Sequence, residues 1–63
     1  MSNRSHGVGE QILLVDDDPA IIRSLGRSLR GLGATVRSAG GVKEAGQALL
    51  SFRPDVVLSD LQL

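Results

Sequence analysis

The sequence predicts an α/β fold, a partial doubly wound parallel sheet with the element order β-α-β-α-β. Three observations predict it: short uninterrupted apolar runs, amphipathic stretches between them, and glycine or proline at the junctions. Apolar runs without alternation are typical of strands buried on both faces, as in parallel sheets. Strands that are separated by single helices are expected to be parallel and joined by right-handed crossovers.

The first strand is predicted over residues 11–15 (QILLV), and the run Asp16-Asp17-Asp18 ends it abruptly. Asp18 followed by Pro19 is a typical helix start, because aspartate accepts hydrogen bonds from free N–H groups and proline needs no N–H partner there. The first helix is predicted from Pro19 to about Gly31. Its apolar face carries Ile22, Leu25, Leu29 and Leu32. Glycines 31 and 33 are expected to end it.

The second half of the chain repeats this alternation. A weaker strand is predicted over residues 34–38 (ATVRS), followed by Gly40-Gly41. A second amphipathic helix is predicted over residues 42–52, since Arg53-Pro54 stops it. A third strand, residues 55–59 (DVVLS), leads directly into Asp60.

Length and composition limit the function classes. A chain of 63 residues holds at most one small domain, and it has no cysteine for a disulfide. We assign residues 1–10 to a flexible tail and residues 11–63 to the domain. Seven basic residues balance seven acidic ones, which argues against binding to nucleic acid or an anionic membrane surface. Since the longest apolar run is far shorter than the roughly 20 residues of a membrane span, we expect a soluble cytoplasmic protein.

Acidic residues follow two of the three predicted strands. Asp16 and Asp17 come directly after the first strand and Asp60 after the third. In open parallel sheets, ligands bind beyond the carboxyl ends of the strands, where strand order reverses. If these two strands are adjacent, three carboxylates converge and repel one another, so a hard cation such as Mg²⁺ is the expected occupant. The competing interpretation is ordinary turn chemistry, which fully explains Asp18 but not the whole set.

These segments resemble the response-regulator receiver family of two-component signalling. The similar segments are ILLVDDDP, GATVRSA, the helix from Val42 to Phe52, and RPDVVLSDLQL at the end. The resemblance covers residues 12–63 but only about half of a typical receiver domain. It implies the flavodoxin-like strand order 2-1-3 for the three strands present.

The resemblance also implies roles for individual residues. Asp60 matches the aspartate that takes a phosphoryl group from a sensor histidine kinase or a histidine phosphotransfer protein. Asp17 matches the direct Mg²⁺ ligand, and Asp16 matches its neighbour that acts mainly through a bound water. Gln62 occupies the position whose backbone carbonyl completes the metal shell. The chain is then a phosphoacceptor and not an enzyme.

The sequence departs from the family pattern at its end. The pattern has a Ser or Thr after a fourth strand and a Lys after a fifth, and the sequence stops at Leu63. We therefore expect the N-terminal half of a receiver, a fragment that is at best partly folded and not competent alone. We also expect the third strand to present an apolar edge through which the fragment could self-associate.

Three alternatives remain at this stage. A haloacid-dehalogenase-like phosphatase also places D-x-D after an apolar strand, with Asp16 as the nucleophile and Asp18 as the acid/base. A receiver-like interaction module that is not phosphorylated would usually have lost its acidic residues. A nucleotide-binding Rossmann half would need G-x-G-x-x-G where this chain has acids.

One further feature of the first helix is a basic stripe. Arg23, Arg27 and Arg30 recur at four and three residues and should share one face. The favoured interpretation is a solvated outer face, and the alternative is a docking surface for an acidic partner.

Overall fold

The computed structural model describes residues 9–59 of the chain. The elements are β1 (Gln11–Val15), α1 (Pro19–Gly31), β2 (Thr35–Ala39), α2 (Val42–Ala48) and β3 (Val56–Ser59). The strands form one parallel sheet in the order β2-β1-β3. This confirms the predicted fold class, a partial doubly wound sheet with strand order 2-1-3.

The central strand β1 holds the sheet together. It pairs with β2 on one side and with β3 on the other, and its residues Ile12, Leu13, Leu14 and Val15 are all buried. Because side chains alternate along a strand, Leu13 and Val15 point to one face of the sheet and Ile12 and Leu14 to the other. Both faces therefore have an apolar centre, as the uninterrupted run predicted.

One face is covered by α2 and the turn that follows it. Leu13 and Val15 pack there with Ala39, Ala48 and Phe52 in a single buried cluster. The guanidinium of Arg37 lies 5.2 Å from the centre of the Phe52 ring. This cation–π contact covers the outer side of a ring that is already buried.

The opposite face is covered by α1, whose ends match the sequence prediction. Asp18 is the N-cap and Pro19 is the first helical residue. At the other end, Gly33 has a φ of +96°. Its N–H donates to the Arg30 carbonyl, and the Ala34 N–H donates to the Leu29 carbonyl. These two bonds form a Schellman motif, which needs the left-handed conformation that glycine adopts without strain.

The buried face of α1 differs from the predicted one. Gly26 is its buried residue and Ile22 and Leu29 are half-buried, whereas Leu25 is 43% and Leu32 61% exposed. The reason is the position of the helix, which packs on β2 and β1 and not on β3. Leu25 consequently projects over the open side of the sheet beside β3.

Three boundaries also differ from the prediction. β2 runs one residue later than residues 34–38, because the Ala34 N–H is bonded to the end of α1. α2 ends at Ala48, not at Phe52, since the N–H groups of Leu50 and Ser51 bond to carbonyls three residues back. β3 begins at Val56, and Asp55 lies just before it.

The start of the described chain is bonded to the sheet. The Gly9 N–H donates to the Gly33 carbonyl, and the Thr35 N–H donates to the Glu10 carbonyl. The rest of the predicted tail, residues 1–8, lies outside the described residues. Among residues 9–59, no helix has both the length and the apolar character that crossing a membrane requires.

β3 lies at the edge of this sheet. All four of its residues, Val56 to Ser59, are exposed, and within residues 9–59 it pairs with β1 alone. Its apolar side chains extend both faces of the sheet beyond the area that the two helices cover.

The burial pattern makes a matched pair of leucine substitutions informative. Leu13 is 1% exposed and Leu50 is 86% exposed. Leu13→Ala should lower the free energy of unfolding by about 2–5 kcal/mol, because it removes core contacts and leaves a cavity. Leu50→Ala should change it by less than about 0.5 kcal/mol. Urea denaturation of the full-length protein measures both, and similar losses from the two substitutions would contradict this description of the core.

Candidate functional site

The carboxyl edge of β1 and β3 is where the sequence places its acidic residues. The two strands are parallel, and Val15, the last residue of β1, pairs with Ser59, the last residue of β3. α1 leaves β1 toward β2, and β3 lies on the other side of β1. This is the position at which strand order reverses and at which open α/β sheets bind their ligands.

Asp16 is a buried acid at this edge. It is 4% exposed, and its Oδ1 accepts a hydrogen bond of 2.9 Å from the Asp18 N–H. A buried carboxylate is costly unless its oxygens have polar partners, and this bond supplies one and fixes the side chain under the turn. The Asp16 N–H in turn donates to the Ala39 carbonyl, which ties the turn to the end of β2.

Asp17 occupies the outer side of the same turn. Its side chain is exposed, and within residues 9–59 its carboxylate accepts no hydrogen bond. Asp16 and Asp17 thus differ in burial and in hydrogen bonding. Asp16 has a fixed orientation, and Asp17 has both oxygens available for a ligand from solvent.

The Asp18 side chain caps the start of α1. Its Oδ1 accepts a hydrogen bond of 2.9 Å from the Ala20 N–H at the start of α1. The sequence interpretation of Asp18 as an N-cap is therefore confirmed. A carboxylate used in this way is poorly suited to be the mobile acid/base of a D-x-D phosphatase, which weakens that alternative.

The donor set of this turn fits Mg²⁺. Two carboxylates are adjacent on one turn, and Mg²⁺ is usually held by one or two carboxylates together with waters and phosphate oxygens. Within the described part of the chain, no group of three or more His, Cys, Asp or Glu residues could hold a metal ion. The third predicted acid, Asp60, and the predicted backbone ligand, Gln62, lie outside the described residues.

An apolar groove of about 250 Å³ lies beside Asp16, between α1 and the ends of β1 and β3. Its walls include Ile21 and Leu25 from the helix and Leu58 from β3. Such walls suit hydrocarbon and not phosphate. Asp16 and Ser59 also line the groove, so this apolar space directly adjoins the acidic turn.

The predicted arginine stripe is divided. Arg23 and Arg27 line a shallow polar depression with Ala20, Ser24 and Ser28. The guanidinium of Arg30 instead donates to the Val36 carbonyl of β2, at 3.2 Å. Arg23 and Arg27 therefore lie together on one surface, whereas Arg30, although exposed, is bonded to β2.

One polar residue at the far end of β3 makes hydrogen bonds that the sequence analysis does not predict. Asp55 lies at the opposite end of β3, where its carboxylate accepts a hydrogen bond from the Gln11 N–H and its own N–H donates to the Gln11 carbonyl. The sequence pattern predicts only that Asp55 is the first residue of the third strand. The available signal was its place between a proline and an apolar run, where aspartate often bonds to the backbone.

Comparisons with known proteins relate the chain to one protein family. The family model described as response regulator receiver domain matches residues 12–63. The chain is 43% identical over 54 residues to the DNA-binding response regulator MtrA of Mycolicibacterium smegmatis, an alignment that covers 86% of this chain and 24% of that protein. The chain thus spans about a quarter of the length of this relative. No solved structure matches the chain.

The helix cap at Asp18 can be tested by substitution. Asp18→Ala should lower the free energy of unfolding by about 1 kcal/mol, because the Ala20 N–H loses its acceptor. Asp18→Ser should keep most of that stability, since a serine hydroxyl also caps helices. Denaturant unfolding compares the two variants, and equal stability of both with the native protein would contradict the capping role.

Proposed function

Because the chain belongs to the response regulator receiver domain family, we propose that Asp60 accepts a phosphoryl group in a two-component system. The donor is a sensor histidine kinase or a histidine phosphotransfer protein. The ions and residues of the proposed site are Mg²⁺, Asp16, Asp17, Asp60 and the backbone carbonyl of Gln62.

The pairing of Val15 with Ser59 is the observation that carries this proposal. Asp16 follows Val15 directly and Asp60 follows Ser59 directly in the sequence. Parallel strands end at the same edge of a sheet, so an acid placed immediately after each of two paired residues favours a shared site. The buried, oriented Asp16 and the exposed Asp17 supply two different kinds of ligand position at that edge.

Bound Mg²⁺ supplies charge neutralisation between a carboxylate and the oxygens of a phosphoryl group. In the transfer, an oxygen of Asp60 forms a bond to phosphorus while the bond from phosphorus to the donor's imidazole nitrogen breaks. The imidazole leaves with that electron pair. The role of Asp16 and Asp17 is to hold and orient, since positioning is the main contribution that a protein makes to such a transfer.

Under this proposal the phosphoryl group remains covalently attached to Asp60 after the transfer. The chain is then the acceptor of its partner's reaction and not a turnover enzyme. Phosphoryl transfer from a sensor kinase would take place in the cytoplasm, which is the location we propose. Self-association through the exposed β3 edge, expected for an isolated fragment, stays a prediction.

The similar protein MtrA is a DNA-binding response regulator, and the alignment with this chain covers 24% of it. We propose that residues 12–63 receive the signal and do not contact DNA. The balance of seven basic and seven acidic residues supports this division.

Acetyl phosphate labelling of the full-length protein tests the acceptor. The native protein with Mg²⁺ should incorporate one phosphoryl group, and Asp60→Asn should abolish it, because the amide is not a nucleophile toward phosphorus. Asp16→Asn, in contrast, should leave the label on Asp60, at a reduced level. Mass spectrometry of the labelled peptide identifies the residue.

Two other labelling results would exclude phosphorylation of Asp60, and each would indicate a different class of protein. A label on Asp16 that survives in Asp60→Asn would indicate a haloacid-dehalogenase-like phosphatase. No label on any residue, in a protein that is folded, would indicate a receiver-like interaction module that is not phosphorylated.

The metal role of Asp17 can be tested against a matched substitution. Asp17→Asn should weaken Mg²⁺ binding by at least about tenfold, since even indirect partners of a metal site commonly contribute that much. Glu44→Gln makes the same change from acid to amide on α2, outside the proposed site, and should leave Mg²⁺ affinity nearly unchanged. Isothermal titration with Mg²⁺ alone measures both, and equal effects of the two substitutions would exclude a direct role for Asp17.

A further inference from the structure

We propose that Asp55 is a positioning residue that sets the register of β3 against β1 and thereby the place of Asp60 relative to Asp16 and Asp17. This inference rests on the proposed function. Asp55 lies at the amino end of β3, and the acids of the site lie at the carboxyl end. It acts through the strand and has no contact with the reacting group.

The geometry is a two-bond clamp on one residue of β1. The Asp55 Oδ2 accepts a hydrogen bond of 2.8 Å from the Gln11 N–H, and the Asp55 N–H donates to the Gln11 carbonyl at 2.6 Å. Both backbone groups of Gln11 are thus held by a single residue of the facing segment. In an ordinary strand ladder a backbone carbonyl accepts from such an N–H group, whereas here a side-chain oxygen of Asp55 accepts from the Gln11 N–H.

β3 needs such a clamp because its apolar pattern does not define a register. Val56, Val57 and Leu58 are consecutive, similar in size and all exposed. At the centre of the strand, a slip by one residue would exchange aliphatic side chains between the two faces, with little change in the apolar area that is buried there. Register is weakly specified where the two faces of a strand are alike, and a polar contact then has to specify it.

The site is sensitive to that register. In the observed pairing Val15 lies opposite Ser59. A slip by one residue would move β3 along β1 by about 3.3 Å. Mg²⁺ requires its ligands at about 2.0–2.1 Å in near-octahedral geometry. A displacement larger than the metal–ligand distance itself would remove the acid that follows β3 in the sequence from any ion held by Asp16 and Asp17.

Mg²⁺ titration of three variants of the full-length protein tests this inference. Asp55→Ala removes the acceptor and should weaken Mg²⁺ binding by about tenfold, the usual scale for residues that position metal ligands. Asp55→Asn keeps an acceptor oxygen at the same place and should bind nearly as the native protein does. Phe52→Leu is the stability control, because it weakens the core under α2 without touching the clamp.

A direct readout of register accompanies the titration. Cross-strand NOEs that report the pairing of Leu14 with Leu58 should be present in the native protein and in Asp55→Asn, and they should be weakened in Asp55→Ala. If Asp55→Ala does not fold, Asp55→Glu replaces it, since the longer side chain keeps the charge but moves the oxygens. It should then bind Mg²⁺ more weakly than Asp55→Asn.

The Mg²⁺ titrations distinguish failure of this inference from failure of the proposed function. Native Mg²⁺ affinity in a folded Asp55→Ala or Asp55→Glu variant would overturn the inference and leave the proposed function intact. The same loss in Phe52→Leu as in Asp55→Ala would also overturn it, because Asp55 would then act through stability alone. Absence of Mg²⁺ binding by the native protein would overturn the proposed function and this inference with it.

Discussion

The backbone pairing of β1 with both of its neighbours is the constraint on which the rest of this structure depends. β1 has four consecutive buried residues, and it is the strand to which both β2 and β3 are bonded. Its two faces supply the apolar surface for α1 and for α2. Its carboxyl end carries the acidic turn, so the register of its neighbours decides which other groups reach that turn. Core and site therefore depend on the same set of backbone bonds.

The acidic turn illustrates how neighbouring residues of one type acquire different properties. Asp16, Asp17 and Asp18 have the same side chain, yet one is buried and oriented, one is exposed and one caps a helix. The chain direction explains this division. Where the strand ends and the helix begins, Asp16 is buried and accepts from the Asp18 N–H, Asp17 is exposed, and Asp18 accepts from the Ala20 N–H. The turn thus combines Asp18, which caps α1, with Asp16 and Asp17, which follow the carboxyl end of β1.

Much of the fold and part of the site could be predicted from residue patterns. The Asp18-Pro19 pair located the start of α1, and Gly33 located its end, because caps and left-handed glycines are local features. The exposure of Leu25 and the end of α2 at Ala48 could not be predicted in this way. Periodicity identifies an apolar face, but it does not reveal whether a neighbouring element covers that face. The bonds of Arg30 to Val36 and of Asp55 to Gln11 were missed for the same reason, since each joins residues of different elements.

Residue patterns alone predict the type and order of the elements, the acidic turn after β1 and the family of the chain. These follow from local physics and from short motifs: apolar runs, helix caps, and acids directly after strands. The strand order 2-1-3 was implied by the family resemblance, whereas the pairing of Val15 with Ser59 and the burial of Asp16 but not of Asp17 are seen only in the folded chain. Those properties depend on contacts between residues that are distant in the chain. A run of similar aliphatic residues such as Val56-Val57-Leu58 is compatible with more than one register until the facing strand is present.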